Sequence, residues 1–468
     1  VNSPARPACG WSGPGGCREV LALGAPLMVS MGSATLMQFT DRMFLGWHSV
    51  AELAASVPAG IAAFLPQSFC LGAASCTGVL VAQYHGACRP ERVGPALWAG
   101  IWISLVAALL MALLAPAGSA LFAAVGHPAA VQLLEADYFR ILMLGGGLPA
   151  LAAALSGYFS GLGRTVPVML VNLAGAAANI PLDYALILGR WGAPELGIRG
   201  AALATVAGAA LTCLLFALLL LSPAVEARHR LRAGWRPEAD MLRRLLGIGV
   251  PAGVQFFLDI LAITGFVLLI GRMGLTELTA TNVAFSINAM TYLPVIGLGN
   301  ALSVLVGRSQ GQGRPEVARR ATSSALVLSM CWMVPVGLLF VLAPGPLMDL
   351  FAQSGSEARA YAPVRHMGVV LLRYVALYSL ADAVSLVYFG ALKGAGDTRF
   401  VMLTMLAASV GVLILPTWAV IAWDLGGIHG PWLALTAYIC FLAASFRLRF
   451  MSGKWRHLKV IEEAAPGG

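Results

Sequence analysis

Twelve long apolar stretches run through this chain, and they restrict its fold before any motif is considered. They lie at 20–47, 53–83, 93–117, 131–160, 166–189 and 197–222, then at 241–271, 278–307, 317–343, 361–392, 400–422 and 430–450. Crossing the hydrocarbon of a bilayer takes about 20 mostly apolar residues in a helix, and each stretch meets that length. The stretches are too long for barrel strands and lack the polar alternation that barrels require. Only 11% of the 468 residues are charged and mean hydropathy is +0.81, so lipid must solvate most of the surface. The expected fold class is an all-α polytopic membrane protein of twelve transmembrane helices. Its short connections leave no room for a soluble domain. The first stretch exceeds the core of a cleavable signal and is expected to remain as a helix.

Charge gives the orientation. With the amino terminus inside, the even-numbered connections are cytoplasmic, and they hold most of the 30 Lys and Arg residues. Arg6 and Arg18 precede the first helix, and Arg89 and Arg92 follow the second. The 228–244 segment includes Arg230 and Arg232, and Arg447, Arg449, Lys454, Arg456 and Lys459 end the chain. The bias places both termini in the cytoplasm. The net charge of +9 is therefore topological, facing anionic lipid headgroups, and no nucleic-acid partner is expected. The eight cysteines, from Cys9 to Cys440, show neither CxxC nor zinc spacing, so no disulfide framework is indicated.

The chain also contains itself twice. "GWHSVAELAA" (46–55) pairs with "GRMGLTELTA" (271–280), and "VAQYHGACRPE" (81–91) with "VGRSQGQGRPE" (306–316). "GLGRTVPVM" (161–169) pairs with "GAGDTRFVM" (394–402), and "GIRGAALA" (197–204) with "GIHGPWLA" (427–434). The four matches keep their order at offsets of 225 to 233. They predict an amino-terminal six-helix lobe over 1–222, a cytoplasmic connection over 223–240 and a carboxyl-terminal six-helix lobe over 241–468. Six is even, so the lobes run the same way and relate by a pseudo-two-fold axis along the membrane normal. Duplicated folds of this kind belong to secondary transporters. The GxGxT element recurs between the fourth and fifth helix of each lobe. There Asp397 is read as structural, with Asp397 or Thr398 placed to cap the next helix.

Few strongly polar residues lie at membrane depth. A carboxylate there costs about 2.5–3.5 kcal/mol, so it normally faces a cavity and serves an ion or a substrate. In lobe one these residues are Asp41, Asn179 and Asp183, with the Thr205 hydroxyl at similar depth. Asn179 and Asp183 are four apart and share a helix face, and Pro181 between them frees the Ala177 carbonyl. Lobe two carries Asp259 and Asp382 instead; Ala34 and Phe266 stand where the repeat would place copies of Asp259 and Asp41. Oxygen-rich sets of this kind suit a proton or a hard cation such as Na⁺. Arg373 is assigned a structural role. Phe256, Phe257, Tyr292, Tyr374 and Tyr388 could offer cation–π faces to a cargo, although aromatic rings in lipid usually serve packing.

The segments "GVPAGVQFFLD", "LADAVSLVYFGALKGAGDTRF" and "NIPLDYALILGRWGAPELGIRGAALAT" resemble the multidrug and toxic compound extrusion (MATE) family, and its NorM-type branch in particular. The resemblance implies efflux of small organic cations in exchange for Na⁺ or H⁺ across a bacterial inner membrane. It matches Asp41, Asn179, Asp183 and Thr205 to an amino-lobe cation site, and Asp259 and Asp382 to a carboxyl-lobe site. Two positions depart from the pattern: Asp259 stands where the branch usually has glutamate, and Arg42 follows Asp41 where a small neutral residue is usual.

Three functions compete. An enzyme would need a catalytic set, and no HExxH, GxSxG or Walker sequence occurs. A flippase for a lipid-linked cell-envelope precursor could share the two-lobe architecture but should line its cavity with cations. The buried charges here are mostly acidic, which favours a cation-coupled antiporter exporting amphipathic organic cations by alternating access. Membrane lipid is its surrounding, no cofactor is expected beyond the coupling ion, and the expected state is a monomer.

Overall fold

The computed structural model describes residues 10–229, 231, 234–351, 357–458 and 460–462; Arg6, Cys9, Arg230, Arg232 and Lys459 lie outside them. Among the described residues it holds 12 helices long and apolar enough to cross a membrane. They are α1 Cys17–His48, α2 Val50–Gly86, α3 Pro90–Leu114, α4 Ala129–Gly161, α5 Thr165–Leu188 and α6 Ile198–Leu220. The second six are α7 Ala239–Gly271, α8 Leu275–Gly311, α9 Pro315–Leu342, α10 Tyr361–Ala395, α11 Thr398–Ala422 and α12 His429–Met451. Each coincides with one expected stretch to within a few residues.

The helix ends repeat as the sequence does. Pro90 and Pro315 open α3 and α9, where a missing amide hydrogen costs nothing. Gly163 and Gly396 follow α4 and α10 with φ of 77° and 85°, a left-handed turn that glycine adopts without strain. Asp397 then sits at the N-cap position of α11 but makes no side-chain cap hydrogen bond. Its carboxylate turns instead to Arg449 of α12. In α11 the residues Ser409–Ile414 widen into a π-helical turn just before Pro416. Proline cannot donate to the ladder, and the extra residue per turn absorbs that gap.

Packing divides the chain into two compact units. An amino-side unit comprises Val29–Phe257, Gly311–Gly313 and residues 460–462; a carboxyl-side unit comprises residues 10–28, Leu258–Gln310 and Arg314–Leu458. The divisions fall inside α1 and α7, away from the 223–240 connection. The reason is local. In the carboxyl-side unit, Gly297 of α8 lies so close to Met28 that a Cβ would stand 2.9 Å from the Met28 nitrogen. In the amino-side unit, Gly249 of α7 lies 3.0 Å, by the same measure, from the Ala73 carbonyl of α2. The early part of each crossing helix thus packs with the unit that the other half of the sequence mainly builds.

Small residues set the internal contacts. In the amino-side unit a Cβ on Gly157 of α4 would come 2.9 Å from the Gly78 nitrogen of α2, and one on Gly161 2.7 Å from the Gly78 carbonyl. In the carboxyl-side unit Gly390 and Gly394 of α10 press on the backbone of Gly299 and Ser303 of α8. Ser303, Gly390 and Gly394 are the repeat counterparts of Gly78, Gly157 and Gly161. The same close approach is therefore built twice, as membrane helices require when lipid offers no hydrophobic drive. The connection after α6 docks on the amino-side unit, where the Trp98 and Trp102 indoles donate to the Leu231 and Trp235 carbonyls at 2.7 and 3.1 Å.

Candidate functional site

The amino-side unit gathers a polar group inside its apolar helices. Asn179 and Asp183 of α5 are both fully buried. Asp183 interacts with Asp41 of α1, and Asp41 also interacts with the Tyr138 hydroxyl of α4 and with the exposed Arg42. Both Asp183 carboxylate oxygens, both Asn179 amide atoms and Oδ1 of Asp41 find no hydrogen-bond partner among the described residues. Buried polar atoms are almost always paired, so a cluster of unpaired polar atoms in one place marks a candidate site.

Local sequence builds this cluster. The four-residue spacing puts Asn179 and Asp183 on one face of α5. Gly208 of α6 has no side chain, which lets α6 close on Asn179: a Cβ there would stand 3.2 Å from the Asn179 Cβ. Thr205 is one turn earlier on the same face of α6 and is partly buried. Tyr138 was not expected. It is 7% exposed and comes from the polar run Glu135–Arg140 at the start of α4. In the same run Glu135 is fully buried and pairs with His127 at 2.7 Å.

The carboxyl-side unit holds the second acidic pair. Asp259 of α7 and Asp382 of α10 interact with each other. Tyr292 of α8 and Tyr438 of α12 interact with both carboxylates, and Tyr378, one turn before Asp382, interacts with Asp382. Ser409 in the π-helical turn of α11 lies 3.5 Å from the Tyr438 hydroxyl. Two carboxylates and three phenols, carried by four helices, thus share one electrostatic neighbourhood.

The other aromatic candidates lie elsewhere. The Tyr374 hydroxyl meets His429 at 3.0 Å, and its ring approaches Trp432. Tyr388 packs on Phe450, with ring centroids 5.5 Å apart. Phe256 meets Phe64 edge-on at 6.1 Å and, with Phe257, belongs to the amino-side unit. Arg373 is exposed on α10. Phe266, the repeat counterpart of Asp41, is a fully buried core ring against Phe285 and Trp432.

Comparison with known proteins bears on the family and the fold. The chain is 30% identical over 443 residues to "Multidrug resistance protein NorM" of Burkholderia vietnamiensis, covering 92% of this chain and 93% of that protein. It is 28% identical over 425 residues to "Multidrug resistance protein PmpM" of Pseudomonas aeruginosa, covering 88% and 86%. Its fold matches a solved structure described as the outward-facing conformation of a multidrug resistance MATE family transporter of the MOP superfamily. That match has a TM-score of 0.85 at 19% identity and covers 94% of this chain and 97% of the other. The MatE family model matches residues 26–185 and 251–418, two segments that begin at the paired prolines Pro26 and Pro251. On that match, made once in each half of the duplicated sequence, the chain belongs to the MatE family of transporters.

Proposed function

We propose that the chain is a cation-coupled antiporter that exports amphipathic organic cations from a bacterium by alternating access. The observation that carries this reading is the set of buried, unpaired oxygens on Asp41, Asn179 and Asp183. An all-oxygen donor set fits a proton or Na⁺, and carboxylates held at that depth are rarely present for packing alone. The Asp259–Asp382 pair, with Tyr292 and Tyr438 in its electrostatic neighbourhood, supplies a second acidic site. Relatives named as multidrug resistance proteins support the cargo class. In this reading the inner membrane holds a monomer with both termini in the cytoplasm, and the bodies that alternate are the two compact units, each built mainly from one of the lobes 1–222 and 241–468.

Transport in proteoliposomes tests it. A fluorescent organic cation should move uphill when a Na⁺ gradient or a pH gradient is imposed, each alone. If neither gradient drives the cation while the purified protein remains folded, the antiporter reading fails.

A further inference from the structure

The segment beyond α12 occupies a site that transport does not explain. Residues 460–462 follow α12 without regular structure, yet they dock on the amino-side unit through a dense polar contact. The Glu462 carboxylate accepts a hydrogen bond from the hydroxyl of Tyr84, a fully buried residue late in α2, at 2.9 Å. It also accepts one from Arg92 Nε in the first turn of α3 at 2.9 Å. Arg89 lies 3.7 Å from the same carboxylate and donates to the Glu462 carbonyl at 3.1 Å. Arg244, near the start of α7, lies 3.5 Å from the carboxylate and donates to the Val460 carbonyl at 3.3 Å.

Electrostatics explains why an anion belongs here. Arg92 and Arg244 sit near helix amino ends, where the partial positive charge of the backbone makes a cation unfavourable. Glu238 pairs with Arg92 at 2.9 Å and Asp240 with Arg244 at 2.8 Å, which leaves one of the three guanidinium charges uncompensated without Glu462. Burial alone would disfavour the ionised Glu462 carboxyl. Its hydrogen bonds, from its own backbone, Arg92 and Tyr84, together with the Arg92 charge, outweigh that and hold it at about 2. The contact is nevertheless open to water: the Arg89, Arg92, Arg244 and Glu462 side chains keep between 19% and 28% of their exposure. Ion pairs that water reaches are weakened by salt and exchange readily.

We propose that residues 460–462 form a detachable latch, an acidic segment of the chain beyond α12 seated in an arginine–tyrosine anion site. While seated, it pins the start of α7 to the end of α2 and the start of α3. The site recognises an acidic peptide, with a carboxylate received by Tyr84 and Arg92 and the peptide carbonyls received by Arg89 and Arg244. Because α7 carries Asp259, the latch bears on a helix that reaches the second acidic pair.

Cys88, an exposed free thiol beside Arg89, reports on the site in the full-length protein. Its modification rates with an anionic and with a neutral thiol reagent are followed by peptide mapping. In Glu462→Gln the freed arginines should draw in the anionic reagent and raise the anionic-to-neutral rate ratio about tenfold. The peptide KVIEEAAPGG added in trans should bring the ratio back, and the same peptide carrying Glu462→Gln should not. An unchanged ratio overturns the latch, including a case where both rates rise together as the variant loosens. Equal action of the two peptides, or no action by either, also overturns it.

Discussion

Arg449 of α12 grips Asp397 with two hydrogen bonds, from Nε at 2.7 Å and Nη2 at 3.3 Å, and stacks its guanidinium 4.7 Å from the Phe400 ring centroid. The aspartate is 6% exposed and the arginine 21%. This pair ties the turn after α10 to the end of α12, so the aspartate of the GxGxT element holds structure. Asp397→Asn should lower stability by about 1–3 kcal/mol, the usual loss when a charged partner of a part-buried hydrogen bond is removed. Thermal melting in detergent measures that loss. Transport per folded molecule should stay at the wild-type level, and a large fall in it would give Asp397 a part in the cycle.

The Asp259–Asp382 pair has the opposite profile. Asp382→Asn and Asp259→Asn keep the shape of each side chain and remove its charge. Each is expected to abolish drug resistance in cells while membrane insertion and expression stay at the wild-type level. Resistance assays at matched protein levels decide. Wild-type resistance in either variant would remove that residue from the site.

In the amino-side unit, Asp41→Asn and Asp183→Asn should each remove the pH or Na⁺ dependence of substrate release. Tyr138→Phe deletes one hydroxyl beside Asp41 and should shift that dependence without erasing it. Drug binding measured across pH and Na⁺ concentration checks all three. Unchanged ion dependence in both aspartate variants would make the cluster structural.

Exchange of one monovalent cationic drug for one H⁺ or Na⁺ moves no net charge. Each further inward charge contributes about 2.3 kcal/mol per 100 mV, roughly a fiftyfold gradient. Two acidic sites leave room for a second ion, so transport should be electrogenic. Proteoliposomes clamped at zero and then at inside-negative potential, with fixed ion gradients, make the comparison. Equal rates together with one-for-one exchange would leave the second site outside ion coupling.

The Glu462 carboxyl titrates at about 2 when folded, against 4.5 for a free glutamate. A depressed pKa stabilises the folded protein above the free value, and that stabilisation is lost as pH falls through the folded one. The melting-temperature gap between wild type and Glu462→Gln should therefore be constant above about pH 4.5 and close between about pH 4.5 and 2. Melting curves across that window are the measurement. A gap that stays open below the window would show that Tyr84, Arg89, Arg92 and Arg244 do not hold an ionised carboxylate.

How much of this was legible in the sequence depends on the rarity of each signal. The helices were legible because only an apolar run of a particular length satisfies a bilayer. The acids were legible because charge at depth is scarce. Tyr138, Tyr438 and Ser409 were not, since hydroxyl groups are common in apolar helices and only the fold brings α4 to α1, or α11 and α12 to α7. Tyr378 is a different case. The four-residue spacing that joined Asn179 to Asp183 also places Tyr378 on the face of Asp382, whereas Tyr374 and Tyr388 sit at other angles on α10. Asp397 had the right place for a cap, but a nearby guanidinium outcompetes a backbone amide for its carboxylate.

The two crossing helices have a consequence for how such a protein arises and is made. The α1 segment up to Met28 completes the carboxyl-side unit, and α7 up to Phe257 completes the amino-side unit. During synthesis the first turns of α1 leave the ribosome long before the α8 residues they pack on, so that unit cannot close until α8 has been made. The amino-side unit must likewise wait for α7. A chain cut within 223–240 would yield two fragments that each lack a piece of their own core and carry a piece of the other's. Such fragments should complement one another when co-expressed and fail when made singly. The same exchange describes two copies of a six-helix ancestor that traded the starts of their first helices, a swapped dimer later fused into one chain.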